Sequence, residues 1–273
     1  MKKFEGILLC TDLDGTLLRR DKTVSEKNAQ AIEYFKSEGG SFTFITGRMP
    51  FYSEDSYLKV KPNAPVGCVN GGGVYDYVKG EYIWKCELPS HSVEFIRDVE
   101  REFPDMGIQI NTFTTAYFCK DNEAMVRFRR ITGLPDIKSS YDGVREPMAK
   151  IIFGIDSESE IARLADFLNS HSLACEFDFI RSERSLYEIL PKNISKGTAV
   201  VKLAECLGID KGKTVAIGDY NNDISMFDAA AVGIAVANAC PDALRAADYV
   251  TVSNEENAIA RVISDLESGA IKL

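Results

Sequence analysis

Short apolar runs alternate with longer segments of helical period through most of this chain. Ile7–Cys10, Phe42–Ile45, Val66–Val69, Thr214–Ile217, Gly233–Val236 and Tyr249–Val252 are short β-type runs. Several end in a polar turn that contains glycine, the pattern of strands buried in a parallel sheet. Ser25–Glu38 reads as a helix: Ser25 is the N-cap, Ala29, Ile32, Tyr34 and Phe35 form the apolar face, and Gly39-Gly40 is the stop. Further helices are expected after Pro50, over Ser195–Leu207 and over Glu255–Ser268. Val74–Tyr77 and Tyr82–Lys85 read as a hairpin around Lys79-Gly80. Strands that alternate with helices predict an α/β, doubly wound fold.

The texture changes from Leu88 to Leu190. Helices are expected over Val93–Phe103, Glu123–Arg130 and Glu158–Ser170. Strands are expected over Gly107–Asn111, Tyr117–Phe118, Lys150–Ile155, Leu173–Phe179 and Leu186–Leu190. This is an α+β unit inserted into the doubly wound one. The expected division is residues 1–87 with 191–273 as a discontinuous core, and 88–190 as the insert.

Composition narrows the class. The length of 273 residues suits one or two domains, and a hydrophobic content of 45% is enough for a core. The net charge of −9 argues against a nucleic-acid surface. No stretch approaches the length of a membrane span, and the short run after Lys2 and Lys3 ends in Asp12, unlike a signal peptide. Seven scattered cysteines without a Cys-x-x-Cys pair favour free thiols, a reducing compartment and a cytoplasmic protein.

The candidate chemistry sits at the ends of the runs, where open α/β sheets bind ligands. Asp12 and Asp14 follow the first run, two residues apart. Two carboxylates this close call for a cation or a shared proton. Thr46, Gly47 and Arg48 follow the second run, and Thr46 offers a hydroxyl and a backbone N–H. Lys196 brings a positive charge to a helix start, a natural place for an anion. Asp219, Asn222 and Asp223 follow the run at Thr214. These turns hold no His or Cys, so an oxygen-only donor set points to Mg²⁺ rather than Zn²⁺.

The strings D-x-D-G-T, T-G-R, S-K-G and G-D-x-x-N-D, in this order, resemble the haloacid dehalogenase superfamily of phosphotransferases. The insert lies between T-G-R and S-K-G, as in the Cof-type subgroup with its type-two cap, and Asn70-Gly71 and Gly233–Asp248 are similar to that subgroup too. Asn257 is a departure, standing where the subgroup often has Gly. The resemblance implies a Rossmann-like core and an inserted cap. It also implies a Mg²⁺-dependent phosphatase acting on a small phosphorylated metabolite, such as a sugar phosphate. Asp12 would be the nucleophile that forms an aspartyl-phosphate, and Asp14 the general acid and base. Asp12, the backbone carbonyl of Asp14, and Asp219 would hold Mg²⁺, with Asp223 orienting metal-bound water. Thr46 and Lys196 would hold phosphoryl oxygens, with Gly47, Arg48 and Asn222 beside them. The cap would set specificity.

A phosphomutase on the same core, or a phospho-aspartate regulatory module, stays open. The second acid at Asp14 and the insert favour turnover. Gly208–Thr214 ends in G-K-T but is a residue short of the P-loop spacing and precedes a strand, so it reads as a turn. His91 and His171 read as surface residues near helix ends, Cys10 as strand packing, and Tyr52, Tyr75 and Tyr117 as core or surface fill.

Overall fold

The apolar run before Asp12 is an interior strand of a five-stranded parallel sheet. In the computed structural model, which describes residues 2–273, the chain divides into two units. One comprises residues up to Lys85 together with Ser195–Leu273, and the other Cys86–Ile194. The first unit begins with β1 (Leu8–Thr11), α1 (Glu26–Ser37), β2 (Ser41–Phe44), α2 (Pro50–Val60) and β3 (Val66–Cys68). β4 (Gly73–Asp76) and β5 (Glu81–Lys85) form the expected hairpin, and β3 pairs antiparallel with β4.

The second unit holds α3 (Ser92–Glu102), β6 (Gly107–Thr112), β7 (Ala116–Lys120), α4 (Glu123–Thr132), β8 (Met148–Gly154), α5 (Glu158–Ser170), β9 (Phe177–Glu183) and β10 (Leu186–Pro191). Its strands form an antiparallel sheet in the order β7-β6-β8-β10-β9. Phe95, Ile96 and Val99 of α3 and Ile161, Leu164 and Leu168 of α5 share a core with Ile108, Ile110, Ile151, Phe153 and Ile189 of the sheet. That covers one side of a sheet whose strands alternate their side chains.

The chain returns to the first unit with α6 (Lys196–Leu207), β11 (Thr214–Gly218), α7 (Ile224–Ala229), β12 (Val232–Ala235), α8 (Pro241–Ala246), β13 (Tyr249–Val250) and α9 (Ala258–Ser268). The parallel sheet has the order β13-β12-β11-β1-β2. The chain moves from β1 to β2 on one side and later adds β11 on the other. The carboxyl ends of β1 and β11 therefore frame a topological switch point, the place where such sheets bind ligands. β1 is buried at every position, which accounts for its unbroken apolar run. α1 packs with α9, and α6 with α7.

Several expectations needed correction. Ala29 is exposed, and the buried face of α1 uses Asn28 with Ile32 and Phe35. Asn28 Oδ1 accepts from Ala260 N at 3.0 Å, which ties α1 to the last helix. The third run stops at Cys68, because Val69 turns to φ +57°. The last helix begins at Ala258 rather than Glu255: Asn257 takes a left-handed φ of +68°, which Asn tolerates better than most side chains. That is how the chain accommodates a non-glycine residue there. Ala174–Glu176 is a short helical turn, so β9 starts at Phe177. His171 is not a surface residue: its ring packs edge-on against Phe95 at 4.6 Å, and its Nε2 lies 3.3 Å from Asp98. All seven cysteines are free thiols. Among the described residues no helix is long and apolar enough to cross a membrane.

Candidate active site

Two turns of the first unit place their acids together. Asp12 follows β1, and Asp219 and Asp223 follow β11; one carboxylate oxygen of each lies within 4.8 Å of the others. Asp12 N donates to Ile217 O at 2.8 Å, which extends the strand pairing to the nucleophile candidate itself. Lys196, in the first turn of α6, joins the cluster from below the surface. Its Nζ donates to Asp12 Oδ1 at 2.6 Å and to Asp223 Oδ1 at 2.5 Å, and its side chain is 2% exposed. Asp223 also receives Asp219 N at 2.9 Å and Tyr220 N at 3.0 Å on Oδ2. It therefore shapes the turn that carries Asp219 as well as pairing with Lys196.

Asp219 Oδ1 accepts from Thr16 Oγ1 at 2.9 Å, so the Thr16 hydroxyl ties the first turn to the β11 turn. Gly15 makes this approach possible: its φ is +84°, and a Cβ there would lie 2.5 Å from Asp219 Oδ2. Asn238 Nδ2 donates to Gly15 O at 2.8 Å, a support that sequence spacing did not reveal.

The electrostatics follow from burial. Burial pushes the Asp12 carboxyl well above the usual range; Lys196 opposes the rise, and Asp223 and Asp219 add to it. Burial pulls on Lys196 in the other direction, yet Asp12 and Asp223 outweigh it and hold the ammonium charged. Asp219 is pushed up to about 6, by burial first and then by Asp223. With all three carboxylates ionised, they would outnumber the one ammonium by two negative charges in a largely buried site. A divalent cation with oxygen ligands fits both the donor set and the charge.

Asp14 is placed differently. Its carboxylate faces Arg48 Nη2, at 2.8 Å from Oδ1 and 2.6 Å from Oδ2, and Lys22 Nζ at 2.7 Å. Burial would raise this carboxyl, but Arg48 and Lys22 hold it below the usual range. The candidate substrate residue Arg48 is thus engaged with an acid, and its guanidinium lies 5.2 Å from the Tyr52 ring. The partnership of Lys22 and Arg48 with Asp14 was not visible in the sequence, since Lys22 lies outside the motifs and T-G-R does not say where Arg48 points.

Thr46 is buried at the end of β2, with its N–H on Gly67 O at 3.0 Å; its Oγ1 accepts from Arg48 N at 3.3 Å. Gly47 lies beside the Asn70 amide: a Cβ on Gly47 would be 2.9 Å from Asn70 Oδ1. Asn222 Nδ2 donates to that same oxygen at 3.2 Å. The structure thus gathers Asp12, Asp219, Asp223 and Lys196 directly. Thr46, Gly47 and Asn222 are linked through Asn70, and Asp14 is paired with Arg48.

Residues 9–263 match the family described as haloacid dehalogenase-like hydrolase. The chain belongs to this family. A relative in Bacillus subtilis (strain 168), the 5-amino-6-(5-phospho-D-ribitylamino)uracil phosphatase YwtE, is 28% identical over 290 residues, covering 96% of this chain and 98% of the relative. The crystal structure of TM0651 from Thermotoga maritima is 26% identical, with a TM-score of 0.78 over 94% of this chain and 96% of that one. A haloacid dehalogenase-like hydrolase from Bacteroides thetaiotaomicron has the same fold, with a TM-score of 0.80 over 95% of this chain and 99% of that one at 23% identity. The expected fold and family hold, and the expectation of a phosphatase stands on these matches.

Proposed function

We propose that the chain is a Mg²⁺-dependent phosphatase that hydrolyses a small phosphorylated metabolite through an aspartyl-phosphate on Asp12. The observation that carries this reading is the buried cluster of Asp12, Asp219 and Asp223, bridged by Lys196 at the switch point. Asp12 and Asp219 would hold the cation, with Asp223 beside them; bound there, Mg²⁺ supplies positive charge that lets an anionic phosphate approach carboxylates.

In the first step a carboxylate oxygen of Asp12 bonds to phosphorus, and the bond from phosphorus to the leaving oxygen breaks. Asp14 gives that oxygen its proton, leaving an alcohol. In the second step Asp14 takes a proton from water, the water oxygen bonds to phosphorus, and the Asp12–phosphorus bond breaks to release phosphate. Lys196 and the Thr46 hydroxyl hold phosphoryl oxygens as charge develops on them. Lys196 also fixes the direction of the Asp12 carboxylate. The division into a core of residues 1–87 with 191–273 and a cap of 88–190 assigns the chemistry to the core, which holds every motif turn, and selectivity to the cap.

The name of YwtE specifies a phosphate ester on a ribityl chain, so the substrate proposed here is a phosphorylated sugar or polyol. The cytoplasm, where such metabolites are held, is the proposed location. Purified protein should hydrolyse members of a phosphometabolite panel only when Mg²⁺ is supplied. Full activity after exhaustive chelation, or no activity on any ester, would overturn the reading.

A further inference from the structure

Val69, Asn70 and Gly71 have φ values of +57°, +51° and +95°, so three successive buried residues lie in left-handed territory. For a β-branched residue such as Val69 this is a genuine outlier. Strain of this kind persists only where the surroundings enforce it, and it clusters at functional sites. The surroundings here are three segments of the candidate active site. Val69 N donates to Arg48 O at 3.0 Å and Asn70 N to Thr46 O at 3.1 Å, so the turn holds both ends of the Thr46–Arg48 loop. Gly71 abuts the start of α6: a Cβ there would lie 1.7 Å from Ser195 O and 2.9 Å from Lys196 N. Asn70 Oδ1 accepts from Asn222 Nδ2 at 3.2 Å.

We infer that Asn70 is a positioning residue, whose Oδ1 fixes the amide of Asn222 with its nitrogen directed for phosphate binding. The inference rests on the phosphatase reading. A side-chain amide has one face that donates and one that accepts. Turned the wrong way, Asn222 would present an oxygen to an anionic ester. Asn70 Oδ1 takes one hydrogen of Asn222 Nδ2 and leaves the other for a phosphoryl oxygen. The left-handed turn is the means by which a strand end delivers an acceptor to this spot while clasping the Thr46 loop and the Lys196 helix start.

The test is a double-mutant cycle in the full chain with Asn70→Gly, Asn222→Ala and both changes. Glycine suits the left-handed φ, so Asn70→Gly keeps the turn and removes only the amide. Readouts are kcat and KM for p-nitrophenyl phosphate, inhibition by inorganic phosphate, and thermal unfolding. Asn70→Gly should weaken phosphate inhibition and raise KM by about 10-fold, with kcat changed less than about 3-fold. In the Asn222→Ala background the same change should cost less than about 2-fold. Equal losses in both backgrounds, or unchanged phosphate inhibition, would overturn the inference; so would losses matched by a lowered melting temperature. A wild-type chain inert to every phosphate ester would overturn the phosphatase reading instead. Calorimetric binding of inorganic phosphate to the same four proteins would then decide the Asn70–Asn222 coupling by itself.

Discussion

Arg48 and Asp14 face each other as an ion pair, with one guanidinium nitrogen 2.8 Å and 2.6 Å from the two carboxylate oxygens. Sequence reading placed Arg48 among substrate contacts, whereas its partner here is the proposed acid and base. If Asp14 is the acid and base proposed above, Arg48 is expected to orient it, and the pair must loosen for Asp14 to carry a proton. Replacing Arg48 with Ala should lower kcat by about 10- to 100-fold, within the range that general acid–base groups supply, and change KM less. Arg48→Lys should recover only part of kcat, because a single ammonium cannot pair with Asp14 while also reaching Ser56 Oγ and the Tyr52 ring as the guanidinium does. Steady-state kinetics on an aryl phosphate and an alkyl phosphate separates the cases. A rise in KM with kcat intact would return Arg48 to direct substrate binding.

Asp12 and Asp223 share Lys196 but should differ when replaced. Asp12→Asn should cost about 10³-fold or more in turnover, since the amide is no nucleophile. It should leave the metal-free fold as stable or more so, because burial already works against the charged form of Asp12. Asp223→Ala strips Lys196 of a partner and leaves Asp219 N and Tyr220 N without their acceptor. Its expected cost is about 3–5 kcal/mol of stability, as for breaking a buried pair from one side. Urea unfolding of the two metal-free proteins measures the contrast. Equal stability losses would show that the cluster is not organised around Asp223.

The parallel core was legible because β1, β11 and β12 are buried at every position and read as apolar runs closed by turns. β1 and Asp12 are the clearest case. Val69 misled for the same reason: a β-branched residue after an apolar run reads as strand, and only long-range contacts force it to φ +57°. α7 and α8 were missed because six residues are too few to show a helical period. Asp12, Asp219 and Asp223 were foreseen as acids at strand ends, whereas Asp14, grouped with them in the sequence, turns its carboxylate to Arg48 and Lys22. The Arg48–Asp14 pair was not foreseen, since it joins positions 34 residues apart through the fold.

Gly15 gives a sharper test of how Asp219 is placed. At φ +84°, with Asp219 Oδ2 only 2.5 Å from a would-be Cβ, Gly15→Ala must displace either the turn or the carboxylate. The shift would break the Thr16–Asp219 bond first. Metal affinity should fall by about 10-fold or more, the scale seen when groups that orient ligands are lost. Mg²⁺ titration of activity reads this directly. An unchanged titration would show that Asp219 is not a ligand.

Protons should compete with the metal at Asp219. Burial, then Asp223, raises its folded-state pKa to about 6 from an ordinary 3.8. A raised carboxyl means that the folded, metal-free chain holds a proton that the unfolded chain has already released between these values. This group's contribution to metal-free stability therefore increases as pH falls through about 6 and levels off below about 4. Metal binding needs the ionised form, so the thermal shift produced by Mg²⁺ should be larger at about pH 7.5 than at about pH 5.5. Asp219→Asn should remove the part of that pH dependence that belongs to Asp219, because an amide has no proton to exchange for the cation, and leave the part set by the raised Asp12 carboxyl. Thermal unfolding with and without Mg²⁺ at both pH values needs no substrate, so it tests the site apart from any assay of activity. Identical shifts at the two pH values in the wild type would mean that the cation, if it binds, does not displace a proton from Asp219.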